Sequence, residues 1–78
     1  MGSKYSKTLY SENKIVKLSI VLDKEWETYI VIWQELRKGI WEENPDKSYE
    51  AGGLEPEYLR DAILTRESML KHYNEFRN

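Results

Sequence analysis

The sequence predicts a mainly α chain with one N-terminal β-strand, completed as a homodimer, and three observations predict it. Residues 16–22, Val-Lys-Leu-Ser-Ile-Val-Leu, alternate so that Val16, Leu18, Ile20 and Leu22 share one face of a strand and Lys17, Ser19 and Val21 the other. Two later stretches, 24–43 and 56–76, carry apolar residues at helical spacing. A lone strand cannot pair its own backbone, and a chain of 78 residues without cysteine has no disulfide to supplement a small core. The strand's partner is therefore expected from a second copy.

Taken in order, residues 1–13 hold Ser, Lys and Tyr with no sustained period and read as a flexible arm. Tyr5, Leu9 and Tyr10 either pack elsewhere or form a short extra strand with Ser11-Glu12-Asn13-Lys14 as its turn; the sequence leaves both open. Strand 15–22 follows. Asp23 suits an N-cap, and Glu25 and Glu27 complement a helix dipole in the first turn. Trp26, Ile30, Trp33, Leu36 and Ile40 then recur at helical spacing and set the first helix at 24–43. Arg37-Lys38-Gly39 resembles a helix end, although Pro45 is the stronger stop.

A competing reading runs through the same residues, because Thr28-Tyr29-Ile30-Val31-Ile32-Trp33 is rich in strand formers. Strands 15–22 and 26–33 would then make a hairpin about Asp23-Lys24-Glu25, giving an α+β fold, a hairpin or small meander with helices. The period carried on through Leu36 and Ile40 favours the helix. Residues 44–55 are a loop by turn chemistry, with Asn44-Pro45 at one end and Gly52-Gly53 near the other. Pro56 suits the first turn of the second helix, 56–76, in which Leu59, Ala62, Ile63, Arg66, Leu70 and Tyr73 lie close to one face with Tyr58, Met69 and Phe76 beside it.

The net charge is −2, which argues against binding nucleic acid by bulk charge. Its distribution is uneven: Lys4, Lys7, Lys14 and Lys17 against Glu12 give residues 1–22 a balance of +3, so the rest of the chain carries −5. One histidine, His72, and no cysteine leave no recognisable metal set and no cofactor. Glu42, Glu43, Asp46, Glu50, Glu55 and Glu57 read as a solvated acidic surface, and no serine sits in a G-x-S-x-G elbow, so no enzyme is expected. With no secretory segment or membrane-length apolar run, the chain reads as soluble and cytoplasmic, without a membrane partner.

Two segments carry a resemblance. Lys17-Leu18-Ser19-Ile20-Val21-Leu22-Asp23 looks like the ribbon strand of the ribbon-helix-helix family of DNA-binding dimers, and Glu57-Tyr58-Leu59-Arg60-Asp61-Ala62-Ile63 is similar to the start of that family's second helix. The inter-helix loop is longer here than the family's. The resemblance implies an intertwined homodimer whose two strands enter the major groove of double-stranded DNA, as a transcriptional repressor or copy-control regulator. It assigns base contacts to Lys17, Ser19 and Val21, whose chemistry suits guanine, general polar contact and the thymine methyl respectively. Phosphate contacts fall to Gly53 and Leu54 at the start of the second helix, with Lys4, Lys7 and Lys14 of the arm and turn following the backbone. A different class stands beside it: a protein-interaction module, such as an antitoxin or phage-encoded inhibitor, binding another protein through acidic helices and exposed aromatics.

Overall fold

In the computed structural model, which describes residues 8–76, the chain runs through β1 (Leu9–Tyr10), β2 (Val16–Asp23), β3 (Thr28–Arg37), β4 (Ile40–Glu43), β5 (Tyr49–Glu50) and the helix α1 (Pro56–Phe76). The strands form an antiparallel sheet in the order β1-β2-β3-β4, with β5 also on β3. The fold is a small α+β protein: a five-stranded antiparallel sheet backed by a C-terminal helix.

The alternation in β2 sets the layers. Val16, Leu18 and Ile20 are buried and pack with Val31 and Trp33 of β3 beneath α1. Register pairs Val16 with Glu35 through to Asp23 with Thr28, so the whole inner edge of β2 is bonded within the chain. α1 settles on this face because Ala62, fully buried, lets the helix axis approach closely, while Leu59, Ile63, Met69, Leu70 and Tyr73 flank it. Arg66 lies on the same stripe and is buried, its apolar stem extending the core; loss of hydration pulls its guanidinium below the ordinary value.

The connections explain the topology. Asp23 Oδ1 accepts from Glu25 N at 3.0 Å and Trp26 N at 3.1 Å, the bonds an N-cap makes, but Glu27 then turns into positive φ (51°) and reverses the chain. Lys38 and Gly39 both have positive φ, 54° and 78°, and make the two-residue turn that joins β3 to β4. β4 and β5 are one edge strand interrupted by a 3-10 turn at Pro45–Lys47, capped by Asn44. At the interruption the backbone of Trp33 is satisfied by Ser48 Oγ, which accepts from its N–H at 3.1 Å, and by Asn44 N, which donates to its carbonyl at 2.8 Å.

These facts correct the expected mainly α, intertwined ribbon-helix-helix dimer. The strand expected at 15–22 runs Val16–Asp23, but it pairs with β3 and, at Lys17 and Leu18, with β1, so it is not a ribbon waiting for a second chain. The helix expected at 24–43 is a turn and two strands, Thr28–Arg37 and Ile40–Glu43, of which the hairpin alternative, with its strand at 26–33, included only the first. Its supposed apolar stripe is split: Trp33 faces α1, Ile30 and Leu36 face the other way, and the end members Trp26 and Ile40 are 72% and 64% exposed. The loop at 44–55 contains the 3-10 turn and β5. Within the expected arm, Leu9 and Tyr10 form β1 with Ser11–Lys14 as its turn, where buried Ser11 Oγ accepts from Val16 N.

Candidate functional site

The expected base-contacting residues do share a surface. Lys17, Ser19 and Val21 project from β2 on the face opposite α1, beside Ile30, Ile32 and Gln34 of β3. Two of the three are already engaged. The Lys17 ammonium lies 4.6 Å from the Trp41 ring centroid, which the Tyr10 ring meets edge-on at 6.0 Å, and Ser19 Oγ is 3.1 Å from Thr8 Oγ1. The expected phosphate contacts do not converge. Lys14 sits in the turn whose neighbours Glu12 and Asn13 bond Asn74 and Tyr73 near the C-terminal end of α1, whereas Gly53 and Leu54 precede its N-terminus. A 21-residue helix puts about 30 Å between those ends. Gly53 also lies against the Tyr58 ring, which an added Cβ would approach to 2.6 Å. Lys4 and Lys7 lie outside the described residues.

A concavity lies on the other side of the sheet. α1 covers β2 and β3 but stops short of the 3-10 turn, leaving a groove of about 820 Å³ with Trp33 as its floor and Lys47 as its far lip. Leu64, Met69, His72, Tyr73 and Phe76 form the helix wall. Leu64 stands off the helix's core stripe, Phe76 continues that stripe into the last turn seven residues after Met69, and the two are 65% and 67% exposed. The Tyr73 ring meets Trp33 edge-on at 5.7 Å, and His72 stacks on Phe76 at 4.7 Å.

The floor is fixed electrostatically. Trp33 Nε1 donates to Glu35 Oε2 at 2.9 Å, Asn44 Nδ2 donates to the same oxygen at 3.2 Å, and Arg37 Nη2 donates to Oε1 at 2.7 Å. Arg37 chiefly, then Asn44 and Trp33, hold the Glu35 carboxyl below its ordinary value, against the opposing effect of burial. Lys47 Nζ hangs more loosely, 3.9 Å from Glu35 and 5.0 Å from the Trp33 ring centroid. The groove is thus an apolar slot whose floor is hydrogen-bonded to Glu35 and whose edge carries the Lys47 ammonium.

Among the described residues no three His, Cys, Asp or Glu side chains are placed to hold a metal ion. No helix among them is long and apolar enough to cross a membrane. The acidic residues 42, 43, 46, 50, 55 and 57 are all exposed. Sequence reasoning missed the groove because Trp33, Lys47 and Leu64 meet only through the tertiary fold. The available signal was Leu64, a large apolar residue outside the helix stripe that fills the core. Compared with known proteins, the chain matches no family model, no curated protein and no solved structure.

Proposed function

We propose that this chain is a protein-binding module that takes an amphipathic helix of another protein into the groove beside α1. The observation that carries the reading is the pair Leu64 and Phe76, exposed on the helix wall of an apolar slot that no segment of the described chain fills. Twelve positions apart, they lie about 18 Å from each other along the helix axis, which matches about three turns of a second helix presenting apolar anchors at i, i+4, i+7 and i+11. Lys47 on the opposite lip favours an acidic side chain on the incoming helix.

The test is titration of isotope-labelled protein with an amphipathic helical peptide carrying leucines at that spacing and one glutamate, against a scrambled peptide of the same composition. Shifts confined to Met69, His72, Tyr73 and the Trp33 indole, lost in Leu64→Asp and Phe76→Asp but kept in Val21→Asp, support the reading. Binding that survives both groove substitutions sinks it.

Duplex DNA is the second reading, favoured by one observation: Lys17, Ser19 and Val21 share an open sheet face, and strands can enter the major groove. Glu43 and Glu50 lie on that face too, which disfavours a phosphate backbone. Binding of a mixed duplex that weakens steeply between low and high salt and is lost in Lys17→Ala would move the assignment to DNA.

A further inference from the structure

We infer that the open face of the sheet is the interface of a homodimer in which two copies stack face to face about a two-fold axis running along the strands, midway between β2 and β3. The occupant of the face is a second copy of this chain.

The first ground is the composition of β3. Tyr29-Ile30-Val31-Ile32-Trp33 is an unbroken apolar run, the pattern of a strand covered on both faces, yet α1 covers only the side bearing Val31 and Trp33. Ile30 and Ile32 lie on the uncovered side with Val21 of β2, Leu36, and Ile15 just before β2, whose carbonyl accepts from Leu36 N at 2.8 Å. The covered side alone gives a core of six buried apolar residues among those described, which is thin for a domain of this size.

The second ground is that the face is complementary to itself. A two-fold axis between β2 and β3 exchanges the two strands, so each side chain on one lies over its register partner from the second copy. Register pairs Val21 with Ile30 and Ser19 with Ile32, and the Ile15–Leu36 bond continues the series. Apolar positions therefore meet apolar ones at both ends of the face, with a small serine opposite Ile32 between them. Lys17, Gln34 and Glu43 stand side by side on β2, β3 and β4. The same exchange brings Lys17 of each copy, its ammonium lying 4.6 Å from its own Trp41 ring centroid, next to Glu43 of the other, so that two reciprocal ion pairs form beside the Trp41 rings. Packing two twisted sheets with their strands roughly aligned is an ordinary arrangement.

The third ground is area. Strands of two, eight, ten, four and two residues, each residue covering about 16 Å² at ~4.8 Å strand spacing and ~3.4 Å rise, outline a face of about 420 Å² per copy. Two copies bury about 850 Å², the size of a weak, transient interface, so a reversible dimer no tighter than micromolar is expected. Stacking withdraws Lys17, Ser19 and Val21 from solvent and leaves the groove beside α1 open.

The test is sedimentation velocity of the full chain over a concentration series up to about 0.5 mM, where a micromolar dimer is saturated. Wild type is expected to shift from monomer to dimer, and Ile32→Asp to remain monomeric with an unchanged circular dichroism spectrum. Because Ile32 is half-buried, the exposed Glu43→Lys provides an independent arm. It is expected to weaken the dimer about tenfold by placing like charges together, and adding Lys17→Glu to it is expected to restore association. Leu64→Asp in the groove is expected to dimerise normally. A wild-type monomer at every concentration overturns the inference, as does a dimer that survives Ile32→Asp but is lost in Leu64→Asp. Duplex DNA bound by a monomer through Lys17 also overturns it.

Discussion

The carboxylate of Glu35 accepts from Arg37, Asn44 and the Trp33 indole, and so links the floor of the groove to the β3–β4 hairpin and the 3-10 turn. Its proton is held less tightly in the folded chain than at the unfolded value of 4.5. Its stabilising contribution is therefore complete above about pH 4.5 and is lost as pH falls through the lowered folded value. Glu35→Gln is expected to cost about 1–2 kcal/mol at neutral pH and to flatten this part of the acid limb, read from urea midpoints against pH with Trp33 fluorescence as the probe. Tyr49 behaves oppositely. Its hydroxyl donates to Asp61 Oδ2 at 2.5 Å, and that bond, then burial, raises the phenol above its ordinary 10.0. The contribution is whole below about pH 10 and lost as pH rises through the raised folded value, so Tyr49→Phe should flatten the alkaline limb alone. None of these partnerships was legible in the sequence, because they join residues that only the fold brings together. The inward phase of Val16, Leu18 and Ile20 was legible, since alternation fixes it locally.

Elements were legible where one period had no rival. The helix expected at 56–76 runs Pro56–Phe76, because Pro56 defines its start and its apolar stripe fits no strand. Residues 24–43 misled for a physical reason: β3 is apolar on both faces, and such a run loses the alternation that identifies a strand while keeping chance helical spacings at Trp26, Ile30, Trp33, Leu36 and Ile40. Asp23 compounded this by making cap-type bonds in a turn. Lys38-Gly39, read as a helix end, is a hairpin turn that needs positive φ at both residues. Asparagine tolerates that conformation better than lysine, so Lys38→Asn is expected to stabilise the fold by about 0.5 kcal/mol. Gly39→Ala meets no steric neighbour yet must hold φ near 78°, and is expected to cost about 1 kcal/mol. Thermal unfolding of the two variants checks both signs; equal effects would mean that the turn is not formed as described.

At the scale of the whole molecule, the sheet separates the groove from the proposed dimer face, and both surfaces depend on the core that holds the sheet against α1. Leu18→Ala, at a fully buried position, is expected to cost about 2–5 kcal/mol in denaturant unfolding. Leu64→Ala, although it also removes a large apolar side chain, should change stability by no more than about 0.5 kcal/mol, because Leu64 contributes to the groove and little to the core. The groove lies on the α1 side of the sheet and the proposed dimer face on the other, so a dimer carries its two grooves outward. Each copy then has a complete site, since no groove residue comes from the second chain, and a peptide should bind once per chain with the same Kd in wild type as in monomeric Ile32→Asp. Calorimetric titration distinguishes the alternatives. Equal affinities mean that dimerisation adds only valence, which strengthens binding to a partner offering two linked helices and leaves a single helix unaffected. A tenfold loss in the monomeric variant would mean that β3, whose side chains serve both surfaces in alternation, transmits the state of one to the other through Trp33 and Ile32.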